Sequence, residues 1–327
     1  MTLATVALLV LLVVLTVASL AIGARPTSAE VVWQALRDAD PTNGDHLVVL
    51  QRVPRTLDAV VVGAALGLAG ASMQGITRNP LADPGILGVN AGASAAVVGA
   101  LAILGIGGLT ALAVAGTAGA LAAFLLVYAV SAAAPGGARP VTLAIAGAAT
   151  NAGLTSVLSA VLVLQPAVLD RFRFWQAGVL GARGVAEVPA VAPLLGIGAL
   201  LCLAGARSLN VLALGDDAAA ALGTRVHVAR GTAALGGAML AGTSTALVGP
   251  IGFVGLVVPH LLRRAVGPDH RVLLPLAMLA GPCLLLAADT LGRIIAPPGE
   301  VQVGVMTAIV GAPFLLLILR AGRRVAL

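Results

Sequence analysis

Lysine is absent from this 327-residue sequence; every basic side chain other than histidine is an arginine. A phosphate-binding loop of the Gly-x-x-x-x-Gly-Lys-Ser/Thr type needs its lysine to reach the β- and γ-phosphates. No such loop exists here, so any ATP that drives this protein is bound by another polypeptide. Charge of either sign is scarce: 10% of residues are charged, against roughly 25% in soluble domains, too few to cover a soluble surface. Aromatics make up 2%, and no period-2 alternation is seen, which excludes a transmembrane barrel with its aromatic girdles. The two cysteines, Cys202 and Cys283, lie in apolar runs and read as packing rather than as a disulfide framework. His46, His227, His260 and His270 lack metal-ligand spacing, so no metal site is predicted. No basic cluster of the kind that binds nucleic acid is present.

Long apolar runs are what the chain does have. Hydrophobic residues make up 59% of it, and the mean hydropathy is +1.06. This composition predicts an all-α, polytopic membrane protein, a single domain over 1–327. The first run, Leu3–Ala21, lacks a basic leader and exceeds the apolar length of a signal peptide, so it reads as a first membrane helix. Residues 25–51 are polar and predict an extramembrane loop, with a short helix around Val31–Arg37. Phe172, Phe174 and Trp175 suit a membrane interface. Hydropathy supports eight to ten spans. With ten, the arginine distribution places both termini in the cytoplasm, with Arg52, Arg55, Arg183 and Arg293 outside and Arg324 in the cytoplasmic tail.

The chain is organised around Arg52–Ala93. An apolar run from Leu57 to Met73 carries Gly63, Gly67 and Gly70, followed by Gln74, at helical spacing. Glycines so spaced let another helix approach closely. The run stops at Asn79-Pro80-Leu81-Ala82-Asp83-Pro84, where the prolines break the helix. A faintly similar segment, 232–246, stops at Gly249-Pro250. Interrupted helices at matching places in two halves mark an inverted-repeat transporter. Residues 209–224 are short, amphipathic and acidic at Asp216 and Asp217, which predicts a small extramembrane helix.

These stretches carry a specific resemblance. RVPRTL, GAALGLAGASMQG and RNPLADPGILGVNAGA resemble the signature of the iron-chelate permeases, the membrane subunits of ABC importers for ferric siderophores, haem and cobalamin. LALGDDAAAALG (212–223), GPIGFVGLVVPHLLR (249–263, with Pro259 and His260), DHRVLLP, AADTLGR and GVMTAIVGAPF agree. The resemblance spans nearly the whole chain. It implies about ten membrane helices and a dimer, of like or unlike subunits, that translocates along its interface. It also implies two cytoplasmic ATPase subunits holding ATP and magnesium, with no cofactor in this chain, an extracytoplasmic binding protein, and residence in the inner membrane of a prokaryote, in contact with lipid.

Residue by residue, Leu212, Leu214, Gly215, Asp216, Asp217, Leu222 and Gly223 resemble the coupling helix that seats in the ATPase. Arg52, Arg55 and Arg293 resemble arginines that meet acidic groups of the binding protein. Pro140, Val141 and Thr142 fall where the family closes its cytoplasmic gate. Structural readings stand beside these: Asp216 as a helix cap, Arg293 paired with Asp289, and Arg55 paired with Asp58. An ion-driven transporter would place ionisable relays in mid-membrane, and an enzyme would need converging nucleophile, base or metal ligands; neither pattern is found.

Overall fold

The computed structural model describes residues 2–23, 25–106, 108–135, 137–181, 188–296 and 299–323. Among them every regular element is a helix. In chain order these are α1 (Thr2–Ala21), α2 (Ala29–Arg37), α3 (Gly44–Thr77), a single 3-10 turn (Pro84–Leu87), α4 (Val89–Ala102), α5 (Leu109–Ala133), α6 (Pro140–Leu164) and α7 (Pro166–Gln176). Then follow α8 (Val188–Ala204), α9 (Ala206–Leu212), α10 (Asp216–Ala221), α11 (Val226–Val248), α12 (Val254–Val266), α13 (His270–Ile295) and α14 (Val303–Arg323). Arg183, the Pro297-Pro298 turn and Arg324 lie outside the described residues.

Six of these helices are long and apolar enough to cross a membrane: α1, α3, α5, α6, α11 and α13. α8 and α9 make a seventh span, bent by 47°. With the shorter α4, α12 and α14 these account for the ten segments that the resemblance implies. Residues 25–51 are more helical than predicted. α2 covers 29–37, and α3 begins at Gly44, capped by the Asn43 side chain, which accepts from the Asp45 N–H. At 34 residues, α3 is about 51 Å long, well over a hydrocarbon core of about 30 Å. Part of it therefore extends beyond the hydrocarbon.

α3 is the buried axis of the molecule, and its glycines explain how. A Cβ on Gly63 would come within 2.6 Å of the Pro282 nitrogen, and one on Gly67 would overlap the Ala277 carbonyl, both on α13. One on Gly70 would overlap the backbone of Gly255 on α12. The stripe thus serves two partners in succession. Gln74 closes it for a different reason. Pro259 has no N–H to give the Gly255 carbonyl one turn earlier. The Gln74 Nε2 donates to that carbonyl instead, at 3.2 Å, and to the Leu256 carbonyl at 3.3 Å, while Arg263 donates to Gln74 Oε1.

The two halves repeat one plan. α3, α4, α5 and α6 have 34, 14, 25 and 25 residues; α11, α12, α13 and α14 have 23, 13, 26 and 21. Each half is a long helix, a break, a short helix and two more spans. In the first break Asn79 accepts from the Leu81 N–H, Asp83 from the Gly85 N–H, and Gly88 turns at φ 77. In the second, Gly249 and Phe253 take positive φ before α12 starts. The Thr245 hydroxyl donates to Asn90 Oδ1 at 3.1 Å, joining the end of α11 to the start of α4.

Candidate functional site

The predicted coupling segment is a turn and a short helix standing clear of the spans. Gly215 has φ 108 and Gly223 φ 79, values at which a side chain is strained, so glycine is required on both sides of α10. The segment then divides into an inner and an outer set. Leu212 and Ala219 are fully buried, while Leu214 and Leu222 are 65% and 66% exposed, and Asp217 and Gly223 also face outward. Two exposed leucines flanking a six-residue helix form an apolar knob, the kind of surface that suits a protein contact.

Asp216 belongs to the inner set. Its carboxylate accepts from Arg78 at 2.9 Å and from Arg230 at 2.8 Å. Arg78 ends α3 in the left-handed conformation. Arg230 is 1% exposed and also donates to the Ala138 carbonyl at 3.0 Å. One carboxylate thus joins α10 to α3 and α11, and through Arg230 to the start of α6. Desolvation pushes the Asp216 carboxyl up. The Arg230 hydrogen bond and the charges of Arg230, Arg78 and Arg139 outweigh it, holding the group below the ordinary carboxylate range. Asp216 is therefore a fastener that sets the position of the knob. As the first residue of α10 it also stands one place beyond the cap position, which Gly215 holds.

At the opposite end of α3, Arg52, Arg55 and Arg293 converge. With Arg25, Gln51 and Glu300 they line an open pocket of about 300 Å³. Asp289 is fully buried behind two of these arginines: Arg55 Nε is 2.8 Å and Arg293 Nε 3.2 Å from its carboxylate. Arg55 also pairs with Glu300. Arg293 donates to the Ser19 carbonyl at 2.9 Å and hydroxyl at 3.0 Å. Arg52 donates to the carbonyls of Leu20 (2.8 Å) and Arg25 (2.6 Å). Arg52 and Arg293 are thus buried and committed to the C-terminal end of α1. The expected Arg55–Asp58 pair is not formed; Asp58 accepts from the Gly181 N–H at 2.9 Å. A buried guanidinium unpaired in the membrane would be costly, and this accounts for the inward arrangement.

Pro140, Val141 and Thr142 open α6. The Thr142 hydroxyl accepts from the Arg139 N–H at 2.9 Å, and Val141 is exposed. They adjoin Ala138, so the Arg230 bond ties them to the coupling segment. His260 stacks edge-on with Phe314, ring centroids 5.9 Å apart. Among the described residues no three His, Cys, Asp or Glu side chains group as a metal site. Glu300 and Arg78 were not legible as site residues, since their partners lie 245 and 138 positions away in sequence; Arg230 was not, because its 14-residue separation from Asp216 spans a turn that no helical spacing bridges.

The FecCD transport family model matches residues 11–321. Ferric enterobactin transport system permease protein FepD of Escherichia coli (strain K12) is 45% identical over 318 residues, covering 97% of this chain and 95% of that protein. Hemin transport system permease protein HmuU of Yersinia pestis is 40% identical over 322 residues, covering 96% and 94%. A metal-chelate type ABC transporter solved in an inward-facing conformation superposes with a TM-score of 0.84 at 27% identity, covering 97% of this chain and 98% of that one. The match runs from the first span to the last, and the chain belongs to the FecCD transport family.

Proposed function

We propose that this chain is the permease subunit of an ABC importer that carries a ferric siderophore across the cytoplasmic membrane. The observation that carries the reading is the 45% identity to the ferric enterobactin permease across almost the entire chain. A second reading, import of haem or cobalamin by the same fold, is favoured by the 40% identity to the hemin permease. An ion-gradient mechanism has less support, because the buried carboxylate Asp289 is neutralised by two arginines at the rim of α13.

The subunit works with partners. An ATPase seats the Leu214–Leu222 knob in a cleft on the cytoplasmic side, where both termini lie. The lysine-free sequence supports assigning ATP and magnesium to that ATPase. A binding protein delivers the chelate at the arginine pocket on the outer side. A second permease subunit, identical or not, faces α6. Thr155, Ser156 and Ser159 are exposed in the C-terminal half of that span, and polar side chains so placed suit a helix contact or lined pathway. Motion of the knob would reach the Pro140–Thr142 segment through Asp216, Arg230 and Ala138.

Uptake of radiolabelled ferric siderophore, haem and cobalamin by a strain deleted for this gene and complemented with it tests the assignment. Restored siderophore uptake alone supports it; restored haem or cobalamin uptake alone replaces it with the second reading. ATP hydrolysis by the purified chain free of ATPase would refute the assignment of turnover to a partner.

A further inference from the structure

On the membrane face that carries α10, a cavity of about 490 Å³ opens between α8 and α11, beside the 47° bend where α8 passes into α9. Its lining is graded. Leu201 and Ala204 of α8 and Val228 of α11 form an apolar wall, and Ser208 of α9, Thr224 and Arg225 form a polar end. The wall extends past the cavity: Ile197 and Leu200 are exposed and lie on the same face of α8 as Leu201 and Ala204, three and four residues apart. α11, and α8 together with α9, are long and apolar enough to cross a membrane, so this exposed apolar face suits acyl chains.

The polar end is unsatisfied. Arg78 and Arg230 share the Asp216 carboxylate, and Arg271 pairs with Asp269. Among the described residues the Arg225 guanidinium has no ion pair or hydrogen bond, and the hydroxyls of Ser208 and Thr224 have no partner. The lining holds no Asp or Glu, so nothing in it would receive the ammonium of a zwitterionic headgroup.

We propose that this cavity binds an anionic phospholipid, with the phosphate at Arg225, Ser208 and Thr224 and an acyl chain along Leu201, Ala204 and Val228. A basic group at membrane depth beside an apolar groove is the chemistry that holds such headgroups. Bound there, the lipid bridges the α8–α9 bend and the start of α11, the two elements that flank α10.

The test is native mass spectrometry of the purified transporter, titrated in separate arms with phosphatidylglycerol, phosphatidylcholine and inorganic phosphate. The expected result is tighter binding of phosphatidylglycerol than phosphatidylcholine. Arg225→Gln should weaken the former about fivefold, the effect of one basic residue near an anionic headgroup, and leave the latter unchanged. Arg207→Gln, an exposed change outside the cavity lining, should have no effect. Ala204→Phe, which fills the apolar wall, should weaken lipid binding with every charge intact. Equal binding of the two lipids, or no loss in either Arg225→Gln or Ala204→Phe, overturns the proposal. Displacement of phosphatidylglycerol by millimolar inorganic phosphate would show an anion site without a lipid and would also overturn it. Arg225 is exposed, so its variant folds even if Ala204→Phe does not.

Discussion

Arg230 reaches Asp216 across 2.8 Å from a position that is 1% exposed, and its other amino group holds the Ala138 carbonyl. A guanidinium so enclosed serves as a three-way joint between α10, α11 and the start of α6. Arg230→Ala should destabilise the protein by about 3 kcal/mol, the low end for removing one partner of a buried pair, since Asp216 is partly exposed. Uptake should fall while membrane insertion persists. Thermal unfolding in detergent and transport assays check both; unchanged unfolding would remove Arg230 from this role.

The same pair gives a pH dependence with a definite sign. The folded Asp216 carboxyl lies below its ordinary value, which is about 3.9 when unfolded. Its contribution is complete above that value and is lost as pH falls through the lower folded one. The unfolding temperature should drop more steeply below about pH 4 in the wild type than in Asp216→Asn. Parallel curves would contradict this.

The glycine stripe of α3 predicts a contrast between two alanine substitutions. Gly70→Ala forces a methyl group into the backbone of Gly255 and should cost about 1–3 kcal/mol or more. Gly99→Ala in α4 meets open space and should stabilise by roughly 0.5–1 kcal/mol through helix propensity. Melting curves of the two variants should shift in opposite directions.

Leu214→Arg with Leu222→Arg should abolish co-purification of the ATPase without lowering the unfolding temperature of the isolated subunit, because both side chains are solvent-exposed. A wild-type yield of complex would place the ATPase contact elsewhere.

At the arginine pocket, the three arginines differ. Arg293→Ala removes the tie between α13 and Ser19 and should lower stability by about 3–5 kcal/mol. Arg55 is the arginine closest to the surface through its pair with Glu300. Arg55→Glu should slow association of the binding protein, most at low ionic strength. Stopped-flow rates across a salt series read the effect; a salt-independent rate equal to wild type would exclude Arg55 from docking.

The sequence by itself determined that this is a helical membrane protein and that its axis is the run ending at Asn79-Pro80. It also placed the two breaks and excluded a lysine-bearing phosphate loop from this chain. Those properties are local: hydrocarbon accepts or rejects each segment on its own composition, and proline breaks a helix wherever it stands. Only the tertiary structure decided what the charged residues do. Arg55 meets Asp289 across 234 positions and Arg78 meets Asp216 across 138, separations at which no spacing rule operates. The glycine pattern announced close approach, but not that Gly63 and Gly67 take α13 while Gly70 takes α12. Asp216 resembled a surface contact of the coupling helix. Packing turned it inward, because its carboxylate offsets the burial of Arg230, and left Leu214 and Leu222 outside.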